Sequence, residues 1–334
     1  MPTQPSRRPA PGWIAASVLL TGVLTACGAE ADAPEPASAG TGSHPVTIEN
    51  CGAEVTFDAA PQRVVLLKSS SVPFLHELGV LDRVTARAGQ YPPDYYDDET
   101  LAELEAIPLL TDELDSSGHL QISKEVVISQ EPDLVLGEVD NLSRATLDSV
   151  GIPLIEEPAL CEQGVDDPGF DDVWAQLELY GEVFGREAEA RAAIAELKGD
   201  LAEVEAQAGA PSGRTAAVLY PTVGGGVTYA YGTKSMAAPQ LRAAGFVNAF
   251  GDVDERVFEV TLEELLGRDP DVLILLHSEG DPAAVEDAIT ELPGAEDLTA
   301  VRNGDVMAQL FNFTEPPTPL SVEGLERIVE RFGS

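Results

Sequence analysis

Cysteine is scarce in this chain of 334 residues: there are three, at 27, 51 and 161. Neither Cys51 nor Cys161 has a His or a second Cys at metal-ligand spacing, which argues against a structural zinc. Cations are also few. Nineteen Lys and Arg face 58 Asp and Glu, for a formal charge of −39, and so acidic a surface argues against nucleic acid as a partner. Of the four histidines, His44 falls in the tether region and His76 in an apolar helix; the two left for a cleft, His119 and His277, are too few for a receptor that binds Zn(II) or Mn(II) directly. No Gly-x-Ser-x-Gly elbow and no His-Glu-x-x-His is present. Gly224-Gly-Gly226 is not followed by Gly-Lys-Ser/Thr, so it is not a phosphate loop. No enzymatic activity is expected. Aromatics make up only 6% of residues, too little for a broad sugar-stacking surface. Beyond residue 27 no apolar run is long enough to span a bilayer.

What is present begins at the N-terminus. Arg7 and Arg8 are the only charges before Cys27, and a mostly apolar stretch runs from Trp13 to Leu24. It is too short for a spanning helix and suits a signal-peptide core. It ends in Leu24-Thr25-Ala26-Cys27, which resembles a bacterial lipobox. Residues 1–26 are therefore expected to be a lipoprotein signal peptide. Cys27 would then be diacylated, and two acyl chains anchor stably where one does not. Cleavage removes two arginines and no acids, taking −39 to −41. Gly28–Ser43 is almost all Ala, Gly, Pro, Ser and acid, so residues 27–45 read as a flexible membrane tether. The protein is expected outside the cytoplasm, where Cys51 and Cys161 would tend to oxidise to a disulfide; two separately buried thiols are the alternative. A bridge between them would close a loop of about 110 residues, worth about 4–5 kcal/mol on the chain-entropy model.

The body alternates strand and helix. Val46–Phe57 has the pattern of a hairpin turning at Asn50-Cys51-Gly52. Arg63–Leu67, Leu134–Leu136 and Pro153–Ile155 read as buried strands, with helices over Val72–Leu78, Val126–Gln130 and Leu142–Val150. Glu187–Gln207 is rich in helix formers and has one apolar face; as a helix it would be about 31 Å long. Alternation then resumes through Thr215–Tyr220, Ala237–Ala244, Leu262–Leu266, Val272–Leu276, Ala283–Thr290 and Val306–Gln309, closing on a helix over Leu320–Phe332. The expected fold is α/β: two Rossmann-like lobes with parallel sheets (46–168 and 210–334) joined by one long linking helix within 169–209. An internal echo supports two related halves. Glu125 lies seven residues before Pro132-Asp133, and Glu263 seven before Pro270-Asp271; each has a helix before the Pro and an apolar strand after it.

With Pro61-Gln-Arg63-Val-Val, the two Glu…Pro-Asp segments, the long linking helix and Tyr231-Gly-Thr-Lys-Ser235, the chain from Val46 onward resembles the substrate-binding proteins of ABC importers for ferric siderophores, haem and cobalamin. That resemblance implies a monomeric receptor that captures a small-molecule chelate between its lobes and docks on a membrane permease dimer through Glu125 and Glu263. A stiff linking helix implies only slight lobe closure. The metal would be held by the ligand, with no protein cofactor and no metal site on the chain. The cleft candidates lie in loops after the strands: Lys68, Ser69, Ser70, Tyr91 and His119 in the first lobe, and Tyr229, Tyr231, Lys234, Arg256, His277, Phe311 and Phe313 in the second. The stretch from Phe311 to Pro319 lacks the arginine found there in cobalamin-type members. So few cations in the cleft point to a neutral or weakly anionic ligand.

Overall fold

The computed structural model describes residues 44–115 and 119–333. Cys27, the signal segment and nearly all of the tether lie outside the described residues. Among the described residues no helix is long and apolar enough to cross a membrane.

The strands are β1 (Val46–Asn50), β2 (Ala53–Phe57), β3 (Val64–Leu66), β4 (Val84–Arg87), β5 (Leu134–Leu136), β6 (Leu154–Ile155), β7 (Thr215–Pro221), β8 (Thr228–Tyr231), β9 (Val247–Asn248), β10 (Val257–Val260), β11 (Val272–His277) and β12 (Val306–Leu310). The helices are α1 (Val72–Glu77), α2 (Asp98–Ala106), α3 (Lys124–Ile128), α4 (Arg144–Asp148), α5 (Phe170–Phe184), α6 (Glu187–Ala208), α7 (Ala237–Ala243), α8 (Leu262–Arg268), α9 (Pro282–Thr290), α10 (Thr299–Asn303) and α11 (Leu320–Phe332).

In the first lobe a four-stranded sheet runs β4-β3-β5-β6, parallel throughout. Both faces are buried, which is why its strands read as continuous apolar runs. Val64, Leu66, Leu134 and Leu136 turn to one core with α1, α5 and α6. Val65, Leu67 and Val135 turn to a second with Leu142 and Leu147. The hairpin β1-β2 turns through Cys51 and Gly52, both at positive φ (51° and 74°). It is fastened to the segment that follows β6 by a Cys51–Cys161 disulfide (Cα–Cα 5.3 Å) and by Asn50, whose amide donates to the Glu156 carbonyl at 2.8 Å.

The second lobe departs from the expected parallel sheet. β7, β11 and β12 are parallel, but β8 runs antiparallel to both β7 and β10, giving the order β10-β8-β7-β11-β12 with β9 beside β7. The Gly-rich segment around 224–226 forms the tight turn of a β7-β8 ribbon. Within 169–209, Gly185 (φ 65°) ends α5, and the linking helix expected over Glu187–Gln207 follows it as α6. α6 then runs 22 residues, about 33 Å. Its Ala190, Ile194 and Leu197 belong to the first-lobe core and its Val204 and Ala208 to the second. One rigid element therefore takes part in both hydrophobic cores. α11 does the same in reverse, with Val322 in the first core and Leu325 and Ile328 in the second.

The internal echo extends to hydrogen bonds. α3 and α8 are both capped by a hydroxyl, Ser123 and Thr261, each accepting from the backbone three residues on. Each is followed by a non-glycine at positive φ, Glu131 (50°) and Asp269 (41°). Asp133 then accepts from the backbone of Gln62 and Arg63, both at 2.8 Å, and Asp271 from Thr215, also at 2.8 Å.

Candidate functional site

The C-terminal ends of β4 in the first lobe and of β11 and β12 in the second border one cavity, the place where open α/β sheets collect ligands. Its volume is about 500 Å³. One wall runs from Arg87, the last residue of β4, to Asp94. The other combines His277–Pro282 after β11, Ala308–Phe313 at the end of β12, and Arg327 of α11.

Each wall carries an arginine stacked on an aromatic ring. In the first lobe the Arg87 guanidinium lies 4.9 Å from the Tyr91 ring centroid, with its Nε donating to the Leu104 carbonyl at 3.0 Å. The Tyr91 hydroxyl donates to the Ala88 carbonyl at 3.1 Å, and burial pushes its pKa well above the ordinary range. In the second lobe Arg327 lies 4.0 Å from the Phe313 centroid and pairs with Glu323 at 2.7 Å. Part of each guanidinium fork is used locally and the rest stands at the cavity, an arrangement that favours anionic or polar oxygens over a bare cation. His277 is buried and donates from Nδ1 to the Glu279 carbonyl at 3.0 Å. Across the boundary, the Gln90 amide donates to the Glu279 carboxylate at 2.6 Å.

Of the residues expected at the ligand, Tyr91, His277 and Phe313 line this cavity. Phe311 stands close by, edge-on to Tyr220 at 6.0 Å. Lys68 is held at 2.5 Å by Glu156, whose side chain is 2% exposed; a carboxylate buried that deeply requires a partner charge. Ser69 faces the second lobe, and Ser70 is buried with its hydroxyl unpartnered. Tyr231 is part of the second-lobe core, and Tyr229, two positions earlier on β8, is exposed. Lys234 pairs with Asp166 at 3.0 Å and Asp254 at 3.6 Å. Arg256 is committed to Glu315, fully buried, at 2.8 Å. His119 is exposed and bonded to Asp140 at 2.7 Å; with Asp115 these two form a surface group whose donor atoms lie within 4.8 Å of one another.

Arg87, Gln90 and Arg327 are cavity residues that sequence reasoning missed. Arg87 ends an edge strand of mixed polarity, and Arg327 shares its helix with Arg331, so both read as solvated cations. These two arginines share the cavity lining with Asp94, Asp112 and Glu279. Glu125 and Glu263 are both exposed, each the second residue of its capped helix.

The sequence pattern of the periplasmic binding protein family matches residues 64–309. The chain is 26% identical over 323 residues to an uncharacterized ABC transporter substrate-binding lipoprotein, YvrC, of Bacillus subtilis, covering 96% of each. It is 27% identical over 299 residues to a cobalamin-binding protein of Halobacterium salinarum, covering 87% of this chain and 74% of that one. Among solved structures, the ABC-type Fe3+-hydroxamate transport system from Saccharomonospora viridis superposes with a TM-score of 0.83 at 58% identity, covering 87% of this chain and 100% of that chain.

Proposed function

Because the chain belongs to the periplasmic binding protein family, we propose that it is the substrate-binding lipoprotein of an ABC importer, anchored through Cys27, that captures a ferric hydroxamate-type chelate between its lobes and delivers it to a permease dimer. The observation that carries this reading is the interlobe cavity, about 500 Å³ with an arginine-on-aromatic pair on each wall. In a ferric trihydroxamate the iron's coordination sphere is filled by the ligand. A receptor therefore meets an organic shell studded with polarised oxygens. Aromatic faces match the shell, guanidiniums match the oxygens, and the volume lies in the ordinary range for small-ligand sites. The likeness to the Saccharomonospora protein supports this choice of ligand. Glu125 and Glu263, presented alike on the two halves, supply the carboxylates that set orientation on a two-fold partner.

Calorimetric titration tests the reading. A ferric trihydroxamate is expected to bind with 1:1 stoichiometry, and Arg327→Ala to weaken it by about tenfold, the value of one charge-assisted contact. Cobalamin and haem belong in the same panel, given the Halobacterium relative. Saturation by either of those with no heat from the ferric hydroxamate would overturn the assignment. Calorimetry is preferable to tryptophan quenching, since Trp174 is packed in the first-lobe core.

A further inference from the structure

Beside the cavity one second-lobe residue, Asn312, makes two hydrogen bonds to the first lobe. The Asn312 backbone N–H donates to the Tyr95 hydroxyl at 2.9 Å, and its side-chain amide donates to the Ser69 hydroxyl at 2.9 Å. Asn312 and Tyr95 are 6% and 5% exposed, and the Tyr95 ring meets Phe313 edge-on at 5.3 Å. We propose that Asn312 is a positioning residue: a clasp that fixes the separation of the lobes before ligand arrives and so sets the width of the cavity.

Both ends of the clasp are tied down within their own lobes. On the first-lobe side, Ser71 donates to buried Glu157 at 3.0 Å and Lys68 is bound to Glu156, which fixes the turn carrying Ser69. On the second-lobe side, the Phe313 carbonyl accepts from Gln240 at 2.6 Å, and Glu315 accepts from the Met236 backbone at 2.6 Å and from Arg256. A contact between two such anchored loops transmits position rather than yielding to it. α6 and α11 join the lobes through both hydrophobic cores; the clasp is a further tie at the edge of the cavity, and a tie placed away from those helices restricts rotation about them. Phe313, next to Asn312, lines the cavity, so the clasp holds the Arg327–Phe313 wall at a set distance from the Arg87–Tyr91 wall. A site preformed in this way does not spend binding free energy on ordering itself.

This inference rests on the ligand reading above for its consequence, but not for its geometry, so the test has two arms. The first is hydrogen–deuterium exchange on the ligand-free protein. Segment 310–316 is expected to be protected in the wild type and to exchange about tenfold faster in Ser69→Ala and in Asn312→Ala, as for loss of one buried hydrogen bond. The double variant should be no faster than Asn312→Ala. Unchanged exchange in Ser69→Ala, where only a half-buried hydroxyl is removed, would overturn the clasp. The second arm titrates a compact macrocyclic and a bulkier linear ferric trihydroxamate. Ser69→Ala is expected to lose about tenfold for the compact chelate and less for the bulky one. Equal loss for both would show a merely structural role and overturn the claim on cavity width. If the wild type binds neither chelate, the ligand reading fails and the clasp is judged on exchange alone.

Discussion

A Cβ placed on Gly324 would stand 1.8 Å from the carbonyl oxygen of Phe313. α11 thus passes directly against the loop that carries Phe313 and Asn312, and only a residue without a side chain permits it. The clash is with backbone, and that carbonyl is already held by Gln240, so the loop has no free direction in which to yield. Gly324→Ala is expected to destabilise the second lobe by about 1–3 kcal/mol, as overpacking does, and to weaken ligand binding, because the displaced loop forms one cavity wall. Thermal unfolding and calorimetry on the same variant check both effects; an unchanged melting temperature would show that α11 can shift outward at no cost.

The disulfide joins positions 110 residues apart. Removing it with the paired variant Cys51→Ser/Cys161→Ser is expected to lower the free energy of unfolding by about 4–5 kcal/mol, because the unfolded chain regains the freedom of a long loop. Urea titration should show a reduced midpoint with the α/β circular dichroism of the folded state retained. Asn50 still pins the hairpin to β6 through Glu156 and Arg144, so the hairpin should remain docked.

Much of this architecture was legible because burial leaves a mark on composition. Val64–Leu67, Leu134–Leu136 and Val272–Leu276 are apolar on both faces because both faces are covered, and the closing helix Leu320–Phe332 carries its stripe on one side. What escaped notice lacks such a mark. β4 alternates polarity at a sheet edge (Val84-Thr85-Ala86-Arg87), and β8 lies beside glycines that suggest only a loop. The site follows the same division. Residue type and loop position pointed to Tyr91, His277 and Phe313. Lys68, Lys234 and Arg256 have the same credentials in one dimension, but each is paired with a carboxylate distant in sequence. Which cation meets which acid is decided by packing between segments about 60 to 90 residues apart, and no local pattern encodes that.

Glu157 makes stability depend on pH. It is 2% exposed, its Oε1 accepts from Ser71 and Tyr180 at 3.0 Å each, and its Oε2 has no partner. Burial, with Glu156 alongside, raises its pKa to about 8. A carboxyl whose folded pKa lies above its unfolded one stabilises fully below the unfolded value, and that stability is lost as pH rises through the folded value. From about pH 4.5 to about pH 8 this group should therefore erode stability by about 4 kcal/mol, at about 1.4 kcal/mol per pKa unit. Glu157→Gln keeps an acceptor for Ser71 and Tyr180 but cannot ionise. It is expected to match the wild type near pH 4.5 and to exceed it at pH 8. Parallel denaturation curves at the two pH values decide; an equal difference between variant and wild type at both would mean that Glu157 does not titrate in this range.

Glu125 and Glu263 offer a prediction that separates docking from capture. Each is exposed on the first turn of its helix, capped by Ser123 or Thr261, and neither lines the ligand cavity. Among the described residues neither carboxylate forms an ion pair, so both are available to a cationic partner surface. Replacing one by Lys sets a like charge against such a cationic surface, and such juxtapositions cost several kcal/mol at an interface. Glu125→Lys and Glu263→Lys should each slow uptake of the radiolabelled chelate into cells, and the pair should abolish it. Loss of the favourable helix-dipole term should lower stability by no more than about 1 kcal/mol. Ligand affinity by calorimetry should stay at the wild-type value in all three variants. A fall in affinity would move the two glutamates from docking to capture, and full uptake by the double variant would remove them from both.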